Sequence, residues 1–208
     1  IDEGIEIELP TGQTWYVEGL STPITKITNL EQGKTIRNYI VTMELPSDWQ
    51  TKITGVDATK ITKIGFENFA SNDYTKVENS FNNLIKTYIK NGTELLFVCD
   101  STIYSPENAS SLFANLTSLT NISFSNFKLH DECTTISSWF MSCSSLTSIN
   151  LSNFDTTNVQ RMVYVFGACS NLQTITFGEN FKTNNVVTMK GMFDSCRSLT
   201  EIDLSGFN

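Results

Sequence analysis

The residues of this sequence best suited to ligate a metal lie next to its one histidine. His130 is followed directly by Asp131 and Glu132. A single histidine with two adjacent acids lacks the ligand spacing of a zinc site, so a metal site is the weaker interpretation. The segment also carries one residue more than its equivalents in the repeat described below. We therefore expect a solvated loop here.

Three of the five cysteines, Cys143, Cys169 and Cys196, recur at nearly constant spacing. Metal binding, redox chemistry and disulfides would all use such a set, but free cysteine is also a common buried apolar residue. Leu116 occupies the equivalent position one unit earlier, which favours burial. Disulfides would need Cα atoms within about 7 Å, closer than the roughly 8–10 Å between packed helices. An odd number of cysteines does not decide the redox compartment.

Three further positions have a functional and a structural interpretation. Asp155 opens an Asp-Thr-Thr-Asn turn that could bind calcium, but its equivalents are Lys128 and Lys182, which would repel the cation. We expect Asp155 to accept backbone hydrogen bonds in its turn. Trp139 occupies a position where the other units of the repeat have apolar residues without a ring. It is therefore predicted to pack in the core rather than stack on a ligand. Tyr164 is predicted to point outward.

Catalytic motifs are not visible. The sequence has no G-x-S-x-G, no H-E-x-x-H and no phosphate-binding glycine loop. Scattered acids leave a glycosidase pair open, yet we expect no enzyme, no cofactor and no resident metal. The net charge of −8 disfavours nucleic acid and anionic membrane surfaces. No stretch approaches the roughly 18 apolar residues of a membrane-spanning helix, so membrane insertion is not expected.

A repeat of 26 or 27 residues organises the second half of the chain. Five apolar columns keep their register over four units. They are Phe113, Phe140, Phe166 and Phe193; Leu119, Leu146, Leu172 and Leu199; Ile122, Ile149, Ile175 and Ile202; Phe124, Leu151, Phe177 and Leu204; and Phe127, Phe154, Phe181 and Phe207.

Each unit has the pattern of a short helix, a turn and a short strand. Ile149 and Leu151 alternate with polar neighbours, the period of a half-buried strand. Met162, Val165 and Phe166 follow the i, i+3, i+4 spacing of one helical face. One unit cannot cover its own apolar face, so we expect successive units to stack around a common core.

The pattern Met-x-x-Met-Phe-x-x-Cys-x-x-Leu-Thr-x-Ile-Asp-Leu-Ser-x-Phe, taken here from residues 189–207, resembles the BspA-like leucine-rich repeats of bacterial surface proteins. Residues 144–156 follow it as closely. The resemblance covers residues 109–208. It implies an α/β fold: a right-handed leucine-rich-repeat solenoid with parallel strands on the concave face, short helices on the convex face and a β-rich N-terminal cap. It also implies adhesion or host-protein binding and supplies no catalytic residues.

The domain organisation follows from this pattern. Residues 50–208 are predicted to form the solenoid, with degenerate coils over 50–108 and four clear repeats over 109–208. Within the degenerate part, apolar residues between Val77 and Ile89 trace a helical face that Asn91-Gly92 would end. A strand is predicted over Leu95 to Val98. Residues 1–49, with strands near Ile5 and over 35–45, are either a β-rich N-terminal cap or the end of a preceding domain.

The outward positions of the strands carry the predicted ligand-binding face. They are small and polar: Asn121, Ser123, Ser148, Asn150, Thr174, Thr176, Glu201 and Asp203. We expect a cell-surface or secreted, non-enzymatic adhesion module that uses this face to bind an extracellular protein or glycan. The alternative is a structural spacer or coat protein without a specific ligand, since a half-exposed sheet needs polar residues for solubility alone.

The last unit shows no capping pattern. An uncapped coil would expose core side chains and a strand edge, so we expect either further repeats in the natural protein or a second chain at this end. End-to-end self-association is one form that such a contact could take.

Overall fold

A computed structural model describes residues 5–8, 26–30, 44–79 and 84–207. The chain divides into two units, Ile1–Thr42 and Met43–Asn208. In the first unit, β1 (Ile5–Glu8) pairs antiparallel with β2 (Lys26–Leu30), which confirms a strand near Ile5. The strand predicted over 35–45 lies almost entirely outside the described residues.

The predicted fold class is wrong. The described residues contain no α-helix, and their helical segments are two three-residue 3-10 helices, Trp49–Thr51 and Ala58–Lys60. Their strands form small separate sheets, parallel, antiparallel and mixed, instead of one continuous parallel sheet. The chain is therefore not a right-handed leucine-rich-repeat solenoid with helices on a convex face.

The largest sheet in the described residues has five strands in the order β4-β5-β6-β3-β8. β3 lies between β6 and β8 and runs parallel to both, whereas β4, β5 and β6 are antiparallel neighbours. Two further parallel pairs are β7 with β9 and β10 with β11. The bounds are β3 Lys63–Glu67, β4 Thr75–Val77, β5 Lys86–Lys90, β6 Glu94–Val98, β7 Ile103–Tyr104, β8 Asn121–Ile122, β9 Phe127–Lys128, β10 Ser148–Leu151 and β11 Thr174–Phe177.

The helix predicted between Val77 and Ile89 is also wrong. Where described, this segment contributes β4 and β5, and residues 80–83 lie outside the described part. Asn91 and Gly92 have φ values of 52° and 72° and form the turn between β5 and β6. Asn-Gly is a strong hairpin signal because both central residues of a type I′ turn need positive φ. The strand predicted over 95–98 is confirmed as β6.

The segments predicted as repeat helices are consecutive turns that stack on one another. Their backbone N–H groups donate to the next unit of the repeat: Phe113 N to Trp139 O at 3.0 Å and Phe140 N to Val165 O at 2.8 Å. Phe166 N donates to Met192 O in the same way, at 2.9 Å. These bonds replace the i to i−4 bonds of an α-helix. Positive φ recurs on both sides of the phenylalanine in each unit: Ser111 and Asn115, Ser138 and Ser142, Tyr164 and Ala168, Gly191 and Ser195.

The apolar columns meet in the interior of this stack. The rings of Phe113, Phe140, Phe166 and Phe193 lie face to face, with centroids 5.4, 5.8 and 5.9 Å apart. The first three are fully buried, whereas Phe193 is half-buried. At the other edge of the stack, Trp49 Nε1 donates to Leu112 O at 2.8 Å. Burial therefore decreases along the stack, from an edge covered by Trp49 to the unit of Phe193.

Candidate binding surface

The eight predicted ligand-binding residues, called the polar face below, are all exposed. β10 and β11 place four of them side by side, Ser148 opposite Thr174 and Asn150 opposite Thr176. Their alternation with Ile149 and Ile175 sends every second side chain away from the core. The structure thus brings these four side chains together on one small two-stranded surface.

The other four members of the polar face belong to different elements. Asn121 starts β8, which pairs with β3, and Ser123 follows directly after it. Glu201 and Asp203 lie in no strand. The eight residues therefore do not share one continuous sheet in the described residues, because the backbone pairing ends between β8 and β10 and again after β11.

Side chains of the polar face differ in how far their hydrogen-bonding groups are already used. Asn150 Oδ1 accepts from Ser152 N at 2.9 Å, and Asp203 Oδ1 accepts from Ser205 N at 2.9 Å. The hydrogen bonds from Ser205 hold the pKa of Asp203 below its usual value. Asn150 and Asp203 therefore stabilise their own turns.

The other polar side chains on β10 and β11 do not stabilise a turn. Ser148, Thr174 and Thr176 hold no side-chain hydrogen bond to any other residue that the structure describes. Their hydroxyl groups are thus available to a ligand.

A polar groove lies beside this face, along the loops that follow the strands. It consists of two adjoining hollows of about 480 and 410 Å³ that share Lys128, Asn153 and Asn180. This groove was not predicted from the sequence, although Asn153 and Asn180 precede the phenylalanines of one apolar column at equivalent positions. Asn126 takes the same place one unit earlier but is buried, with its amide donating to Cys99 O and Ser101 O, each at 3.0 Å.

The interpretation of residues 130–132 as a solvated loop is wrong for His130. Its side chain is only 13% exposed, and its Nε2 lies 3.5 Å from Glu44 Oε1. Glu132 N donates to His130 Nδ1 at 3.1 Å. One ring nitrogen of His130 and one carboxylate oxygen each of Glu107 and Glu132 lie within 4.8 Å of one another. Asp131 and Glu132 are exposed, as predicted for the loop.

The repeat-containing part of the chain matches one known protein family. Residues 106–208 match a family described as "Mycoplasma protein of unknown function, DUF285". Neither a curated protein nor a solved structure matches the chain. The segment that matches DUF285 contains all four repeat units, the polar face and His130. The family description names no ligand.

The cysteine column of the segment that matches DUF285 is a ladder of thiols that is buried, as predicted, at Cys143 and Cys169. The Sγ atoms of Cys143, Cys169 and Cys196 donate to the carbonyls of Phe113, Phe140 and Phe166, each at 3.1 Å. All five cysteines are free, and of these three Cys196 is the one that is only half-buried. Desolvation raises the pKa of all five thiols, that of Cys143 to about 12. Thiolate chemistry near neutral pH is therefore disfavoured.

Two further predictions in the DUF285 segment are confirmed and one is not. Thr157 N donates to Asp155 Oδ1 at 2.9 Å, and the hydrogen bonds from Thr157 lower the pKa of Asp155. Trp139 is fully buried. Tyr164 does not point freely outward: it is half-buried, and a Cβ placed on Gly191 would lie 2.2 Å from its Cε1 atom.

No helix in the described part of the chain is long and apolar enough to cross a membrane.

Proposed function

We propose that this chain is a non-enzymatic cell-surface binding module that recognises an extracellular protein or glycan through the polar face. The observation that carries the proposal is the pair β10 and β11. Four small polar side chains stand there in direct register, all exposed, and alternate with Ile149 and Leu151, which are buried, and with Ile175 and Phe177, which are half-buried. A ligand would meet hydroxyl and amide groups on a backbone that the core holds in place.

The chemistry of these side chains suits binding at low entropic cost. Thr174 and Thr176 are β-branched, so a bound ligand restricts little additional χ1 freedom. Each threonine hydroxyl both donates and accepts hydrogen bonds, which fits sugar hydroxyls as well as peptide groups. The adjoining groove adds the amides of Asn153 and Asn180 and the ammonium group of Lys128.

The repeat architecture also supports this proposal. The DUF285 match agrees with a repeat-bearing surface protein, and the resemblance to BspA-like repeats suggests adhesion. The competing function is a spacer or coat that has the same polar face for solubility alone. An assay of attachment separates the two, because a spacer needs no particular residue on this face.

The experiment combines a glycan array and a cell-adhesion assay of the purified chain with two variants. Thr174→Arg with Thr176→Arg places two long charged side chains on β11 and should abolish attachment. Gln160→Arg adds the same group at an exposed position outside the polar face and should leave attachment unchanged. Alanine at Asn150 or Asp203 is less informative, because it also removes a turn hydrogen bond.

Attachment by the natural chain that the double variant loses and Gln160→Arg keeps would support a binding module. Equal attachment by all three proteins, or attachment by none of them, would favour the spacer. Circular dichroism of each variant shows whether a loss reflects the surface or unfolding.

A further inference from the structure

Three neighbouring segments bring acidic side chains around the chain's one histidine. Glu44 forms a parallel bridge with Tyr104 of β7, and β7 pairs in parallel with β9, which precedes His130. Glu107 follows β7 closely, and Glu132 follows His130. Parallel neighbours end at the same edge, so these four side chains meet although they are up to 88 residues apart in sequence (132 − 44).

The hydrogen bonds of His130 define which ring nitrogen has a lone pair available. Nδ1 accepts the N–H of Glu132 at 3.1 Å, so Nδ1 carries no proton in this arrangement. The proton of the neutral ring then lies on Nε2, which faces Glu44 Oε1 at 3.5 Å. Tyr104 packs edge-on against the ring, with centroids 6.4 Å apart. A metal-binding histidine typically ligates through one nitrogen while the other faces a carboxylate, as Nε2 does here; Nδ1 can ligate once it gives up the hydrogen bond from Glu132 N.

We propose that Glu107, His130 and Glu132 bind one divalent transition-metal ion, with Zn²⁺ as the reference ion. His130 Nδ1 and one carboxylate oxygen from each glutamate are the ligands. Glu44 is the positioning residue, which accepts from Nε2–H and orients the ring. The ion replaces the hydrogen bond from Glu132 N at Nδ1, and water completes its coordination.

The geometry requires that the backbone N–H of Glu132 leave His130 Nδ1 and that two exposed side chains rotate. One ring nitrogen of His130 and one carboxylate oxygen each of Glu107 and Glu132 lie within 4.8 Å of one another. In a tetrahedral zinc site with bonds of about 2.0–2.2 Å, neighbouring ligand atoms lie roughly 3.3–3.5 Å apart. Glu107 and Glu132 are exposed, so rotation of their side chains can close the remaining distance.

Ligand chemistry selects the class of ion. Imidazole nitrogen favours Zn²⁺ and its neighbours in the transition series, whereas Ca²⁺ takes six to eight oxygen ligands. Two ligating carboxylates, with a third on Glu44, give the cluster a negative charge that a dication would offset. We therefore expect Zn²⁺ to bind more tightly than Ca²⁺.

The test is calorimetric titration of the full, untagged chain with ZnCl₂, together with NMR of its single imidazole. We expect one ion per chain and a shift of the His130 ring resonances that saturates at the same ratio. Glu44→Gln keeps all three ligands and should weaken binding by about 10–100-fold. Glu107→Gln should weaken it further, and Glu179→Gln, an exposed acid outside the cluster, should leave it unchanged.

The five thiols are the competing zinc ligands, and His130→Ala distinguishes them because it keeps every cysteine. Loss of binding in a folded His130→Ala supports the site. Binding as tight as in the natural chain, or imidazole resonances that do not move in excess Zn²⁺, would overturn it. The NMR measurement on the natural chain decides the question even where His130→Ala does not fold.

Discussion

At the scale of single residues, two fully buried tryptophans differ in one hydrogen bond. Trp49 Nε1 donates to Leu112 O, whereas Trp139 Nε1 has no acceptor among the residues that the structure describes. Both rings have 0% exposure and pack against aromatic neighbours. Leaving a buried donor or acceptor unpaired costs about 1–3 kcal/mol. The unpaired Nε1–H group of Trp139 therefore destabilises the folded state, whereas the hydrogen-bonded Nε1–H group of Trp49 does not.

We expect Trp49→Phe to destabilise the protein more than Trp139→Phe, by about 1–2 kcal/mol. The substitution removes the same atoms at both sites, but at position 49 it also deprives Leu112 O of its donor. Urea unfolding of the two variants measures the difference. Equal losses, or a larger loss for Trp139→Phe, would contradict the role given to the Trp49 hydrogen bond.

Asp73 offers a second test at this scale. Hydrogen bonds from Lys90 and Ser71 lower the pKa of the Asp73 carboxyl from 3.8 to about 2. A lowered pKa means that the contribution to stability is present above about 3.8 and is lost as the pH falls toward 2. In Lys90→Ala we expect the pKa to return toward 3.8 in an NMR titration. A pKa that stays near 2 in that variant would show that Lys90 is not the cause.

At the scale of elements, local patterns identified the strands better than the helices. The i, i+3, i+4 spacing of Met162, Val165 and Phe166 predicted a helix, but consecutive turns with i to i+3 hydrogen bonds place the same positions inward. Trp139 N, for example, donates to Ile136 O at 3.2 Å. Asn91-Gly92 likewise suits a helix end and a hairpin. The structure forms the hairpin, in which β5 pairs antiparallel with β6, and β6 in turn pairs in parallel with the distant β3.

Gly178 tests the close contact between two turns that follow β10 and β11. A Cβ on this residue would lie 2.1 Å from Ser152 O and 2.7 Å from two other backbone atoms of Ser152. Backbone cannot move as a side-chain end can, so Gly178→Ala should cost about 1–3 kcal/mol. Gly206→Ala, where a Cβ meets nothing within 4 Å, is the control and should change stability by less than about 0.5 kcal/mol. Similar melting temperatures for both variants would contradict this packing.

At the scale of the whole stack, one row of backbone N–H groups, at the stacked phenylalanine of each unit and two residues on either side of it, donates to the later unit. Tyr164, Phe166 and Ala168 donate to Lys190 O, Met192 O and Asp194 O at 2.8–2.9 Å. The equivalent N–H groups of Gly191, Phe193 and Ser195 have no acceptor in the described part of the chain. At the opposite edge, Leu112 O and Ala114 O accept from the side chains of Trp49 and Gln50.

Hydrogen exchange should reproduce this asymmetry. We expect slow exchange at Tyr164, Phe166 and Ala168 and nearly unprotected exchange at Gly191, Phe193 and Ser195. Residue-resolved NMR of the purified chain makes the comparison. Strong protection of the second set would mean that another molecule or segment covers this edge.

End-to-end self-association stays a prediction at this scale. Two carbonyls of the first unit, those of Leu112 and Ala114, already accept side-chain donors from Trp49 and Gln50. A second copy would therefore have to approach through side chains such as Val187, which is 81% exposed, and not by extending the backbone ladder. Sedimentation of the natural chain and of Val187→Lys would show whether such a contact forms.

The repeat of 26 or 27 residues by itself determined most of the residues that meet in the core, although burial is lost in the last unit, where Leu204 is 40% exposed. Columns of Phe, Leu, Ile and Cys stack because like side chains return at one level of each unit, and burial follows their apolar character. Only the tertiary structure decided between helix and turn, because the N–H of Phe140 has an acceptor in the next unit that no local pattern reveals. The tertiary structure likewise brings Glu44, Glu107 and His130 together. Residues far apart in sequence come together only once the parallel pairing of their segments is known.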